Sequence, residues 1–498
     1  MIDGNLATAL AFVTYLAIML FIGFWAYSRT TNLSDYALGG RRLGPFPIAL
    51  SAGASDMSGW LMLGLPGYAL VAGYEAEWIV IGLVAGTWLN WRFVARRLRV
   101  YSSLTDDSLT LPSYFANRFR DHSQIIRIVS ALFILFFFIF YISAGLVAQG
   151  KLFEAVFSMD YDYAVVLGAV FIVCYVFFGG FIAVSWTDVV QALLIIFALA
   201  CVSLYGLGEA GGWFAVRSAM AEKSPALLDM WTDNSGQPLS WISIVSLLAW
   251  GLGYFGQPHI LARFKAIRDD QQIGLARFIA VSWSFAVLAC ALLTGWVAQH
   301  YLHRDLADEE TVYIALTHML FHPAIAGVLL TAVLAAIMST ADSQLLICSS
   351  ILAEDFYRSL YRKHASAREL VTAGRIGVLG VAALAVWLSL NSQDNVLELV
   401  AYAWAGFGAA FGPVILLSLY WRRMTRNGAL AGIIVGGITV VIWKHLQGGL
   451  FDLYEIIPGF LLALIAVVLV SLVSTPPRPR SVASDKLIAP DKPKTTPE

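Results

Sequence analysis

The sequence predicts an all-α integral membrane protein, a bundle of about 13 transmembrane helices containing two inverted repeats. The first observation is composition: 59% of the 498 residues are hydrophobic and only 13% are charged, with a mean hydropathy of +0.73, far more apolar than a soluble domain of this size. The second is spacing. Apolar stretches long enough to cross a hydrocarbon core recur at 6–27, 46–70, 78–96, 126–149, 163–179, 188–207, 240–257, 276–301, 323–346, 371–391, 395–420, 427–445 and 455–474. The third is that three of these stretches carry polar or helix-breaking segments, two of them five spans apart.

The first span follows Met1–Asn5, which has no basic residue, and no cleavage-like site comes after it, so it is expected to stay in the membrane. Basic residues concentrate on cytoplasmic loops. With the N-terminus outside, 27 of the 32 Lys and Arg fall on one side, including Arg29, Arg41, Arg42, the Arg92–Arg127 group, Arg263–Arg277 and Arg358–Arg375, leaving Lys151, Arg217, Lys223, Arg304 and Lys444 opposite. The expected topology is therefore N-out and C-in.

Span two contains Ser51-Ala-Gly-Ala-Ser-Asp-Met-Ser-Gly-Trp60, then a second weak point at Gly64-Leu65-Pro66-Gly67. A carboxylate at the depth of Asp56 is costly unless it faces water or a partner, and small residues allow the helix to unwind and offer its carbonyls. Span seven contains Trp250-Gly-Leu-Gly-Tyr-Phe-Gly-Gln-Pro-His259, where each Gly disfavours a regular helix by about 1 kcal/mol and Pro by about 3. Span nine carries Ala335-Ala-Ile-Met-Ser-Thr-Ala-Asp-Ser343. Broken helices five spans apart are what an inverted repeat predicts. Spans two to six (46–207) and seven to eleven (240–420) are the expected halves of a membrane domain over 1–474, followed by a disordered cytoplasmic tail over 475–498.

Such repeats bind solute and coupling ion near the midplane. Sodium needs several oxygens: unwound backbone in span two offers carbonyls, and Ser339 and Thr340 offer hydroxyls about 100° apart on their helix. The alternative for these two residues is back-bonding within their own helix. The N–H groups opening the second half of a broken helix suit a carboxylate. Trp250 and Tyr254, one turn apart, would enclose a small apolar ring; the alternative is packing.

Other chemistry finds little support. Gly251-x-Gly253-x-x-Gly256 resembles a dinucleotide fingerprint but lies in a membrane span, and Gly145-x-x-x-x-Gly150-Lys151 is followed by Leu152 where a phosphate loop needs Ser or Thr. No nucleotide, nucleic-acid partner or catalytic set is expected, so the chain is not read as an enzyme. Its four cysteines lack metal-ligand spacing and read as core residues. His318 and His322 are four apart without the Glu of a zinc-protease motif.

Longer strings carry a resemblance: Leu38-Gly-Gly-Arg41, Leu43-Gly-Pro-Phe46, Ser51–Trp60, Gly179-Gly-Phe181, Ser185-Trp-Thr-Asp188, Ala249–His259 and Met338-Ser-Thr340. The chain resembles the sodium/solute symporter family over nearly its whole length, and within it the bacterial branch that imports L-proline with sodium across the inner membrane. The resemblance implies a leucine-transporter-type 5+5 inverted repeat with one extra N-terminal and two extra C-terminal helices. It also implies a sodium site of Ala54, Met57 and Ala336 backbone oxygens with the Ser339 and Thr340 hydroxyls, supported by Asp56. The implied proline site draws on Tyr141, Trp250, Tyr254 and Pro258, with Ser58 and Gly59 nearby, and Arg41 and Asp188 serve gating or coupling. Sodium is then the coupling ion, lipid the surroundings, and no cofactor is implied. Glu75, Glu77 and Asp342 depart from the family strings and stay unassigned. The rivals are another small amino acid or carboxylate, proton coupling through Asp56 or Asp342, or a solute sensor, for which the tail is expected to carry no output module.

Overall fold

The structure, a computed structural model, describes residues 4–27, 33–105, 107–178, 180–304, 306–391 and 395–475. Arg29, Gly179 and the expected tail from 476 to 498 lie outside the described residues. Regular structure is helical; among the described residues the β pairing consists of two isolated bridges, Leu43 with Ile267 and Thr232 with Pro238.

Among the described residues, ten helices are long and apolar enough to cross a membrane. The figure of 13 counts apolar stretches rather than uninterrupted helices. Tyr161–Cys174 and Trp241–Gly256 are shorter than membrane length, and Pro45–Asp56 is a separate helix, whereas Trp60–Leu104 runs on as one. Two ends also differ from the hydropathy limits. The sixth span begins at Phe181 rather than 188, and the helix Pro258–Ala266 prolongs the seventh past 257. Both extensions carry polar side chains that a hydropathy scan excludes but that are buried against protein.

Burial separates core from rim. The apolar windows of Pro323–Tyr361 and Val396–Tyr420 are each 83% buried, against 28% for Asn5–Trp25 and 33% for Ile456–Val473. The outer helices expose Phe21, Phe24, Leu469 and Val473, the surface a lipid tail covers. Pro323–Ile351 packs on Gly4–Tyr27, Ile125–Phe157 and Phe181–Glu209, while Val396–Tyr420 packs on the Ala249–Gly256 stretch.

Close approach explains the glycines of the seventh span. A Cβ on Gly251 would lie 2.2 Å from the Gly82 carbonyl oxygen, and one on Gly86 would lie 2.3 Å from the Gly251 carbonyl oxygen. Small residues let two membrane helices touch backbone to backbone, and this contact seats the second broken helix against Glu77–Asn90.

Candidate functional site

The first broken helix ends where Met57 leaves helical geometry (ψ 78°) after its N–H closes on the Gly53 carbonyl. In a continued helix Ser58 N–H would serve the Ala54 carbonyl; instead it donates to Asp56 O at 3.0 Å. The chain resumes through a π-helical turn, Trp60–Gly64, and the helix Leu65–Ala72. Ala54 O is thus left for partners outside its helix. Ser339 Oγ donates to it at 2.8 Å and Thr340 Oγ1 at 3.5 Å. The same hydroxyls reach Ala336 O at 3.0 and 3.3 Å, so back-bonding and cross-helix contact occur together. Four oxygens from two helices meet where every contributing residue is at most 2% exposed. Neutral carbonyl and hydroxyl oxygens suit a hard monovalent cation. Met57 is buried but is not linked to this cluster by any of these contacts.

The second broken helix runs as Trp241–Leu248, the 3-10 stretch Ala249–Gly256, an extended Gln257 and Pro258–Ala266, with Pro258 at the first helical position, where its missing N–H costs nothing. Tyr254 donates its hydroxyl to Asp56 Oδ2 at 2.7 Å. Asp56 Oδ1 has no partner. The Asp56 carbonyl accepts from Tyr141 OH and Trp60 Nε1, both at 3.1 Å. Trp250 lies 6.1 Å from Trp60 and 5.6 Å from Tyr454 between ring centroids, and Tyr254 meets Trp404 edge-on at 5.0 Å. Asp56, Tyr141, Trp250 and Tyr254 therefore share one buried region. Ser58 and Gly59 lie at the break itself; a Cβ on Gly59 would stand 2.5 Å from the Ala148 Cβ. Pro258 lies on the far side of Gln257.

Beyond the sodium-type cluster lies a fully buried ionic network. Arg263 donates to Asp188 Oδ2 at 3.1 Å, to Ser51 Oγ at 3.1 Å, to the His259 carbonyl at 3.0 Å and to Ser343 Oγ. Ser51 Oγ also donates to Asp188 at 2.6 Å. Asp342 accepts from Ser343 at 3.3 Å. Arg41 stands apart, paired with Asp107 at 2.7 Å and hydrogen-bonded to Ser103, so it makes no ion pair with Asp188. Glu75 accepts from Tyr68 OH at 2.9 Å.

Sequence reasoning missed Arg263, which it grouped with loop cations. The available signal was Asp188 itself, since an intramembrane carboxylate needs a partner. It also missed Glu310 on the opposite side, which pairs with Lys151 at 2.6 Å and accepts from the N–H groups of Val396 and Leu397, each at 3.0 Å.

Two discontinuous helices meeting at buried carbonyls, hydroxyls and aromatics define a multi-pass membrane transporter of the broken-helix class. The model of the sodium:solute symporter family matches residues 36–436, and the chain belongs to that family. It is 50% identical over 473 residues to the sodium/proline symporter of Escherichia coli K12, covering 94% of this chain and 93% of that protein. It is 49% identical to the high-affinity proline transporter PutP of Bacillus subtilis 168, covering 92% and 96%. Among solved structures, a Na+-coupled sialic acid symporter in a substrate-bound outward-open state shares the fold at a TM-score of 0.79 and 18% identity, covering 95% of this chain and 99% of that one. Mhp1, a nucleobase-cation-symport-1 family transporter, matches at 0.54 and 14% identity, covering 88% and 92%.

Proposed function

We propose that this protein imports L-proline together with sodium by alternating access, in a bacterial plasma membrane with the N-terminus outside and the C-terminus in the cytoplasm. The observation that carries the reading is the Ala54 carbonyl, released from its helix and met by Ser339 and Thr340. Identity of about half to a protein named a sodium/proline symporter and to one named a proline transporter supports the choice of solute.

In this reading Ala54, Ala336, Ser339 and Thr340 hold sodium, with Met57 contributing its carbonyl as the break adjusts. The ion joins the first broken helix to Pro323–Ile351. Asp56 supports the geometry through Tyr254, which brings the second broken helix to the same point. Proline is held by Tyr141, Trp250, Tyr254 and Pro258, with Ser58 and Gly59 facing its polar end. The Asp188–Arg263 network closes one side of this region, and Arg41 steadies the loop at Asp107. The membrane unit spans 1–474 with repeats at 46–207 and 240–420.

Sodium raises proline affinity because it favours the conformation that binds proline, and linkage requires proline to raise sodium affinity equally. Proline is a zwitterion, so one sodium per cycle moves one positive charge, driven by about 2.3 kcal/mol per 100 mV. Uptake by proteoliposomes across a panel of amino acids, with and without sodium, tests this. Stronger competition by another amino acid than by proline would reassign the substrate.

A further inference from the structure

Two cations grip one short segment at the end of the bundle read as cytoplasmic. The chain just before the first broken helix and the chain just after the second run side by side there: Leu43 and Ile267 form a parallel bridge, and Arg268 N–H donates to Leu43 O at 2.9 Å. Two residues before each partner of that bridge stands a cation, Arg41 on one chain and Lys265 on the other. Arg41 pairs with Asp107 at 2.7 Å, and the Lys265 ammonium donates to Leu109 O at 2.7 Å. The segment Asp107–Thr110, which leads into the helix Leu111–Phe119, is thus tied to the inner ends of both broken helices, by one cation each.

The same segment narrows the way out from the second break. Leu109, Leu111 and Lys265 line a cavity of about 10 Å³ together with Pro258, Ala262 and Ser350, room for about one water. Pro258 belongs to the proposed proline site, so a solute leaving towards this end has to displace Leu109 and Leu111. The two grips differ in cost. The side chain of Arg41 is 11% exposed and that of Asp107 60%, a pair that forms without full dehydration and holds the segment modestly. Lys265 is 2% exposed, and its three N–H groups have Leu109 O as their acceptor among the described residues. An ammonium whose hydration is mostly unreplaced favours any state that returns it to water. It sits in the last turn of Pro258–Ala266.

The geometry points to an inner mouth worked by two cations with opposite effects: the Arg41–Asp107 pair holds the segment over the cavity, and Lys265 is a positioning residue whose buried charge drives it open. Closure dehydrates the ammonium; opening returns it to water together with the Leu109 carbonyl. Both cations ride on the broken helices, so movement at either break pulls on the segment directly. This inference rests on the alternating-access reading above and not on which solute is carried.

The test uses purified full-length protein lacking its native cysteines and carrying Ser350→Cys, which reports on the cavity through its rate of reaction with a charged thiol reagent in sodium-free buffer. Asp107→Asn is expected to speed labelling roughly two- to fivefold. Lys265→Met, which fills the same space without the charge, is expected to slow it about tenfold, with Lys265→Arg close to the parent. Faster or unchanged labelling in Lys265→Met would overturn the inference, as would slower or unchanged labelling in Asp107→Asn. Should Lys265→Met fail to insert, Leu109→Cys and Ala262→Cys are joined by a reversible bifunctional thiol reagent. Uptake is expected to stop until the link is cleaved, and full uptake through the joined pair would overturn closure by this segment. The labelling needs no solute, so absence of sodium-driven proline uptake by the unmodified protein would defeat the proposed function alone, and the two failures are distinct.

Discussion

Ala54 accepts from Ser339 and Thr340 because Ser58 turns its N–H back to Asp56. Thr340→Val keeps the shape and removes one oxygen from the cluster. Sodium half-saturation for transport is expected to rise about tenfold or more, the equivalent of about 1.4 kcal/mol; an unchanged value in uptake assays would remove Thr340 from the ion site. Tyr254→Phe leaves Asp56 Oδ2 without its donor, and a buried acceptor left unmet costs about 1–3 kcal/mol. Apparent affinities for sodium and proline are both expected to fall, because in the proposed reading Asp56 supports the ion site while Tyr254 faces the solute. Loss confined to proline would place Tyr254 in the solute site alone. Arg263→Gln strands the fully buried Asp188, and breaking such a pair costs about 3–5 kcal/mol. Thermal unfolding in detergent should show a large loss in Arg263→Gln and partial recovery in Arg263→Gln with Asp188→Asn; no recovery would mean the charge pair is not the source of the loss.

The broken helices show how far sequence reaches. The interruption at Ser51–Trp60 was legible because a carboxylate and hydroxyls inside an apolar run are too costly to bury unless they meet an ion, a solute or a polar partner. The glycines of the seventh span were legible as helix breakers, but their contact role was not. Gly251 is small because Gly82 and Gly86 lie against it, a contact across more than 160 residues that no local pattern encodes. Arg263 and Lys265 were hidden for a related reason: charge beside an apolar run reads as loop until a partner appears, and Asp188 is 75 positions away. Asp188 itself was placed at a span's edge, whereas it lies inside Phe181–Glu209. Gly251→Ala should therefore act through packing. A Cβ 2.2 Å from a carbonyl oxygen forces the helices apart, so folded protein and uptake are expected to fall together on size-exclusion profiles and transport assays. Normal folding with lost uptake would assign Gly251 to the moving break instead.

At the scale of the whole molecule, the bundle gathers the Ala54–Ala336–Ser339–Thr340 oxygen cluster, the aromatic region of Trp250 and Tyr254 and the Asp188–Arg263 network around the two discontinuous helices and the helices packed on them. The cluster and Asp56 both bear on the first break, and Tyr254 links that break to the second, so in the proposed reading ion and solute act on the same joint. On the proposed reading, coupling follows from this shared joint. The most direct test is accumulation of labelled L-proline in proteoliposomes under an inward sodium gradient with the interior negative. The account expects concentrative, saturable uptake that collapses when choline replaces sodium and rises with the potential. Uptake equal in sodium and choline would contradict it.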